Sequence, residues 1–317
     1  ADTRNPVGDI LSFRRRKGEE ARLVLVNASD GMGYIDVHSS VSTRDLLTGT
    51  DIEVGDSQDT PANFDRVGFD TIAVLDAPPN YAVDLELPSG DDDGPGSYNY
   101  PANPDFADDA FDLTGFRVED SGQTYRFEFD IGWQLTNPWN YSEGFSVQHF
   151  QVYLRDPQGS GGSTDGRTGT NVTFDSAYHY RLVVDGKNGA RVEDAAGSQL
   201  GTGTVSVSGG TVHVEIDESE ISPSLTSLEI APLVLGFDPD RAGNVVPVQQ
   251  EPGWKAFGGG DGSGNAPHVI DVATPPSVTA SSTLSYTNDS NASIPFMSVE
   301  EGYATLQSWS DTTGDDT

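Results

Sequence analysis

The 317-residue chain has no cysteine, which excludes disulfide cross-links, thiolate metal sites and a cysteine-borne lipid anchor. Lysine is nearly missing too. Only Lys17, Lys187 and Lys255 stand among 17 basic residues, against 50 acidic ones. A formal net charge of −33 leaves no basic face on which nucleic acid could lie. It also opposes docking on an anionic bilayer. No apolar run approaches the ~20 residues of a transmembrane helix. Gly-x-Ser-x-Gly, a phosphate loop, a dinucleotide fingerprint and a His-Glu-x-x-His pair are all absent, so the usual sequence marks of an enzyme are not there. The five histidines, His38, His149, His179, His213 and His268, are scattered singly and form no zinc-ligand spacing. Paired carboxylates for glycoside hydrolysis carry no weight here, because almost every loop holds Asp or Glu. No catalysis is expected.

What is present describes an acidic, globular, β-rich chain. So high a negative charge self-repels in dilute buffer, but molar salt screens it to within a few ångströms. The composition therefore fits a halophile. Aromatic content of 9% and apolar content of 35% are enough for a packed core. A chain opening on Ala1 rather than Met fits a mature protein cut from a signal peptide, or simply a chain trimmed at its start. Asn-x-Ser/Thr acceptors at Asn27, Asn140, Asn171, Asn288 and Asn291 point to a glycosylated, extracellular protein.

Short β-branched and aromatic runs recur between Gly, Asn, Asp and Pro: Ile10–Phe13, Arg22–Asn27, Tyr34–His38 and Thr71–Leu75 in the first 83 residues. Further on, Phe116-Arg117-Val118-Glu119 and Tyr125-Arg126-Phe127-Glu128-Phe129 alternate apolar and charged with period 2, the pattern of half-buried strands. Asp120–Gln123 between them is a turn by composition. Strands are also expected at 146–154, 171–174, 178–185, 204–207, 211–216 and 228–236, with a helical turn near Asp217–Ile221. Residues 155–170, rich in Gly, Ser and Asp, read as a surface loop. The spacing predicts an all-β, antiparallel β-sandwich. After Pro275-Pro276 the chain turns into an acidic Ser/Thr-rich tail, with six acidic and no basic residues over 277–317. Ile294–Met297 and Val299–Trp309 give that tail enough apolar mass to pack.

Two segments and a scattered set of aromatics could hold ligands. Gly90–Pro101 carries Asp91, Asp92 and Asp93 among glycines and a proline. It is a loop, and adjacent carboxylates on a Gly-rich loop suit Ca²⁺, which accepts irregular oxygen geometry. Asp238-Pro239-Asp240-Arg241-Ala242-Gly243-Asn244 is a second oxygen-rich loop, but it lacks the later Glu and the flanking helices of an EF-hand. Among aromatics able to stack on sugar rings, Tyr98, Tyr100 and Trp139 sit in loops and are glycan-binding candidates. Trp254 belongs to the same group, whereas Trp133, in a strand-like run, reads as core. The basic cluster Arg14-Arg15-Arg16-Lys17 reads as a solvated hairpin end that could also grip an acidic neighbour.

The run Gly90-Asp91-Asp92-Asp93-Gly94-Pro95-Gly96-Ser97-Tyr98-Asn99-Tyr100-Pro101 resembles the opening of the C-terminal module of glucodextranase. The likeness continues through Phe111-Asp112-Leu113-Thr114, Asn137-Pro138-Trp139, Gly144-Phe145-Ser146, Val152-Tyr153 and Gly169-Thr170-Asn171-Val172, and ends with Ala266–Asp271. That module is a DOMON-like β-sandwich also attached to pullulanase-type enzymes and archaeal surface proteins. The resemblance covers roughly residues 84–275, between an N-terminal β-rich region at 1–83 and a tail at 276–317. It implies a non-catalytic module for carbohydrate or cell-surface attachment, with a structural calcium held by Asp91, Asp92 and Asp112. The chain departs from the family at Arg155-Asp156-Pro157, where the family tends to run Asp-Thr-Asp, which weakens the case for a metal in that loop.

Two functional expectations follow. The first is a haloarchaeal-type surface subunit that associates with copies of itself, or with other surface proteins, into a filament, sheath or coat. Its motives are the polar tail and β edges able to accept a neighbour's strand. The second is a module that binds polysaccharide or cell-wall glycan on its loop aromatics.

Overall fold

The computed structural model describes residues 81–298, apart from 121–122 and 275–277, and the backbone of six strands before them. Those strands are β1 (Ile10–Lys17), β2 (Glu20–Asn27), β3 (Gly33–His38), β4 (Glu53–Gly55), β5 (Phe64–Phe69) and β6 (Ile72–Asp76). They form two antiparallel sheets, ordered β1-β2-β6 and β3-β5-β4, in a compact unit of their own. The basic cluster ends β1, with Arg14 to Lys17 opposite Leu23 to Glu20 of β2. Its side chains lie outside the described residues, as do residues 299–317 of the tail.

The second unit holds β7 (Tyr81–Glu86), β8 (Leu113–Asp120), β9 (Thr124–Ile131), β10 (Gln148–Arg155), β11 (Ser163–Asp165), β12 (Val172–Tyr178) and β13 (Tyr180–Asp185). It continues with β14 (Gly189–Asp194), β15 (Gln199–Ser208), β16 (Thr211–Asp217), β17 (Glu229–Gly236), β18 (Val269–Val272), the short helix α1 (Ala280–Thr283), β19 (Ala292–Ile294) and β20 (Met297–Ser298). The helical turn expected near Asp217 is a 3₁₀ turn at Glu218–Glu220. The fold is all-β, as expected. Among the described residues, every pairing of these named strands is antiparallel except that of β12 with β19.

One hydrogen-bonded path, β18-β17-β10-β13-β14-β15-β16-β9-β8-β7, folds over on itself. The ten-residue β15 makes the fold-over. Its first half pairs with β14 and its second with β16, so one strand serves both halves of the sandwich. Between the halves lies the main core. Phe116, Val118, Phe127, Phe129, Val212 and Val214 come from one side, and Phe150, Val152, Leu182, Val192 and Val234 from the other. Phe129 and Phe150 meet with ring centroids 4.6 Å apart.

The alternation read in β8 and β9 has its physical counterpart on the outer face. Arg117 lies opposite Glu128 in register, its Nε 3.0 Å from that carboxylate and its Nη2 2.6 Å from Asp130. His213 on β16 adds a contact to Glu128 at 3.2 Å.

β10 and β17 show no alternation because both of their faces are covered. Phe150, Val152 and Val234 enter the main core, while Tyr153, Leu233 and Leu235 enter a second one. That second core is closed by Phe174 of β12, by Ala280 and Leu284 around α1, and by Ile294 of β19. Residues 278–298, read as part of a polar tail, are thus a cover for the sheet. β20 adds itself beside β17, Met297 opposite Ile230. The 155–170 segment is mostly surface loop, with the short β11 pairing to β12.

Candidate functional site

The loop between β7 and β8 is built around Asp93, whose backbone carbonyl accepts from the N–H groups of Gly96, Ser97 and Tyr98 at 2.9–3.1 Å. The Gly94 N–H donates to the Ile270 carbonyl at 3.0 Å, tying the loop to β18. Gly94 has φ +63°, and a Cβ there would lie 2.3 Å from the Tyr98 ring. Only glycine fits.

This docking carries Asp91 to two carboxylates from elsewhere, Asp112 at the entry to β8 and Asp271 within β18. Each of the three offers an oxygen within 4.8 Å of the others, the one such group among the described residues. Asp112 and Asp271 are each only 2% exposed. Asp271 Oδ2 accepts from the Leu113 N–H at 2.7 Å, and Oδ1 from the Val272 N–H at 2.6 Å. Asp112 Oδ1 is buried and has no hydrogen-bond partner. Burial raises all three carboxyls, most strongly Asp271, and nearby carboxylates add to it: Asp92 and Asp93 for Asp91, and Asp91 and Asp112 for Asp271. For Asp112 burial, then the nearby Asp92, Asp91 and Asp109, outweigh a hydrogen bond from the Gly90 backbone and push it up to about 6.

The donor set fits a hard cation. It is all oxygen, it concentrates negative charge where water is excluded, and one buried oxygen is unsatisfied. Two oxygens bound to one Ca²⁺ at ~2.3–2.6 Å can stand at most about 5 Å apart, so the 4.8 Å spread is compatible.

The structure brings Asp91 and Asp112 together, as the resemblance implies, and adds Asp271, which the sequence reading did not assign. Asp92 and Asp93 belong to other arrangements. The Asp92 carboxylate accepts from the Tyr100 hydroxyl, and Asp93 organises the turn through its backbone. Asp238 is a different environment altogether. It is 3% exposed, and its carboxylate faces Arg241 Nε at 3.6 Å and Lys255 Nζ at 3.8 Å. Asp240 is exposed. With its charge balanced by two side chains, that loop lacks the uncompensated negative field a metal would need.

The aromatic candidates also separate. Tyr98 is 7% exposed, with its hydroxyl donated to the Pro267 carbonyl. Tyr100 packs edge-on against Phe257 at 5.5 Å. Trp139 is half-buried, donates from Nε1 to Asp105 at 2.9 Å, and carries the Lys255 ammonium 4.5 Å above its ring. None of these three presents a clear face. Among the described residues the exposed tryptophans are Trp133 at 49% and Trp254 at 65%. Trp133 departs from the core reading because β9 ends at Ile131 and turns outward through Gly132. A Cβ at Gly132 would lie 2.5 Å from Asp112 Oδ2.

Of the glycosylation acceptors, Asn140 and Asn288 are exposed. Asn171 spends its amide on the Gly264 and Ala266 carbonyls at 2.9 and 2.6 Å. The Asn27 side chain lies outside the described residues. No described helix is long and apolar enough to cross a membrane.

Residues 83–298 match the family described as the C-terminal binding module, SLH-like, of glucodextranase. The match takes in the whole sandwich, including the cover formed by 278–298, and so runs past the resemblance read to about residue 275. Among curated proteins no match was found.

Proposed function

Because the chain belongs to the family of SLH-like C-terminal binding modules of glucodextranase, we propose that it is a non-catalytic, extracellular carbohydrate-binding protein whose module is held by Ca²⁺ at Asp91, Asp112 and Asp271. The carbohydrate reading is carried by the match itself, which spans all of the sandwich. The calcium reading rests on the buried, partnerless Asp112 Oδ1 between two further carboxylates. A glycan array probed with the full chain in molar salt tests the first. Retention on one or more polysaccharides is the expected result, and an array blank for every glycan overturns it.

Self-association into a filament, sheath or coat takes second place, since the family match bears on a binding module and not on assembly. A single-chain mass by light scattering in molar salt agrees with that order. A mass many times larger, collapsing on chelation, would reverse it.

A halophilic setting follows from charge. At 0.1 M salt the Debye length is ~10 Å, and at 1 M it is ~3 Å. With a net charge of −33, we expect the melting temperature to climb steadily when sodium chloride is raised from 0.1 to 2 M at constant Ca²⁺. A flat or falling curve would remove the halophilic reading.

A further inference from the structure

Beyond the calcium centre, one concave surface joins an exposed aromatic face to convergent polar groups. It is an open cleft of about 450 Å³ lined by Asp238, Asp240, Arg241, Gln249, Trp254 and Lys255. That volume falls within the ~300–1,000 Å³ usual for small-molecule sites.

Its construction begins with a tight turn. Gly253 donates its N–H to the Ala256 carbonyl at 2.9 Å, and Ala102 donates to the Gly253 carbonyl at 2.8 Å. The turn is therefore closed across itself and tied to the loop following Pro101. A Cβ at Gly253 would lie 2.8 Å from Gln249 Nε2, so the glycine lets the amide rest against the turn. Trp254 and Lys255 occupy the tip and part company. Lys255 folds back over Trp139 and towards Asp238. Trp254 stays out, 65% exposed.

A lone exposed apolar residue needs no explanation. A tryptophan on a closed turn at the wall of a polar cleft is a different case. Its indole face is large, flat and apolar, the match for the C–H face of a pyranose ring. Beneath it, Asp238 contacts Arg241 and Lys255 at 3.6 and 3.8 Å, longer than the 2.7–3.2 Å of a direct hydrogen bond. These planar and ammonium groups retain unfilled hydrogen-bonding capacity towards vicinal hydroxyls. Two carboxylates and two cations leave the cleft formally neutral, inside a chain of net charge −33 that repels polyanions.

We infer that the Trp254 cleft is the carbohydrate site, and that its ligand is a neutral pyranose unit of a polysaccharide stacked on Trp254 and hydrogen-bonded by Asp240 and Arg241, both exposed side chains of the lining. The inference rests on the carbohydrate-binding reading and specifies its location.

The test is affinity electrophoresis of the full chain, with Ca²⁺ present, through gels containing dextran, pullulan, arabinoxylan or galactomannan, with alginate as the anionic comparator. On the neutral glycan that retards the parent, Trp254→Ala is expected to lose at least ~30-fold in affinity, the scale of a hot-spot aromatic. Trp254→Phe is expected to recover part of the loss, and Trp133→Ala to stay within about twofold of the parent. Because Trp254 is exposed, its variants keep the parent's melting temperature, which separates lost binding from lost fold. If Trp254→Ala binds like the parent while Trp133→Ala fails, the module binds sugar elsewhere and the cleft is wrong. Retardation by alginate alone overturns the neutral ligand. If no gel retards the parent, the cleft falls together with the carbohydrate reading.

Discussion

Ca²⁺ added to the chelated protein should raise its melting temperature by roughly 5–11 °C once the ion exceeds its dissociation constant a hundredfold. A ligand bound only by the folded state adds about 2.7 kcal/mol at that excess, and a domain of this size shifts about 2–4 °C per kcal/mol. The physical source is the triad of Asp91, Asp112 and Asp271, with Asp112 and Asp271 buried and one oxygen unpartnered. Without a cation, burial and repulsion hold these carboxyls above the ordinary aspartate value of 3.8, Asp112 at about 6. A carboxyl raised in the folded state binds its proton more tightly there than in the unfolded chain. The folded state is then favoured at low pH, and the advantage is lost as pH rises from about 4 through about 6. In chelator and molar salt, where general charge repulsion is screened, the melting temperature should therefore fall between pH 4.5 and 7. Ca²⁺ would take only the ionised carboxylates, so the increment it gives should instead grow over the same range.

Asp112→Asn separates the two effects. Both oxygens of Asp271 accept backbone N–H groups, so an amide at that position would face a donor with a donor. Oδ1 of Asp112 has no such partner, and an amide nitrogen placed there can donate to the neighbouring carboxylates. The variant in chelator at pH 7.5 should melt roughly 2–8 °C above the chelated parent, for about 1–2 kcal/mol of relieved repulsion. It should gain little from Ca²⁺. A parent that melts identically with and without the ion would end the calcium reading.

Glu193→Ala should destabilise the module by about 3–5 kcal/mol, the usual result of stripping one partner from a buried ion pair. Glu193, on β14, is 7% exposed. It accepts from Arg181 Nε at 2.6 Å, its cross-strand partner in register. Arg167 at 3.6 Å and Arg191 at 3.8 Å complete the group. Burial already pushes the Arg167 guanidinium down, and its two neighbouring arginines add to that against the pull of Glu193. Removing the carboxylate leaves Arg167 and Arg181 without a carboxylate partner and with little water, and Arg191 with only that of Asp185, at 3.3 Å. The effect is read as a fall in the urea midpoint at constant slope. Glu193→Gln should lose less, because the amide oxygen still accepts from Arg181. A Glu193→Ala unfolding free energy within about 0.5 kcal/mol of the parent's would show that the arginines disperse into solvent instead.

Where one face of a strand meets water, the sequence is legible. Phe127 and Phe129 alternate with Arg126 and Glu128, and the outer ion pairs of Arg117 follow from that pattern. The pattern fails for β10 and β17, since a strand buried on both faces has no polar period to read. His149, Gln151 and Tyr153 look like solvent-facing positions, yet they form a buried chain, with the Tyr153 hydroxyl donated to Gln151 Oε1 at 2.6 Å. The acidic loop is visible from composition alone, but its third carboxylate is not. Asp271 lies in an apolar Val-Ile-Asp-Val run, 158 residues from the backbone group it accepts at Leu113. The available signal was its cost: a lone carboxylate inside a buried strand demands hydrogen bonds or a cation. Trp254 gave no local hint of its exposure, which is decided by a turn closing over a distant loop.

The cover that residues 278–298 place over β10 and β17 also sets a clock. β12 finds its parallel partner only in β19, where Val172 meets Ala292, 292 − 172 = 120 residues later. At a synthesis rate of ~5–20 residues per second, roughly 6–24 s separate the emergence of the two. Throughout that interval Phe174 has no lid, nor have Leu233 and Leu235 once they emerge, and the nascent chain carries a sticky, half-finished sheet. Maturation of this module is therefore timed by residues 278–298, and a ribosome stalled before them would leave a product with its second core open and competent to aggregate.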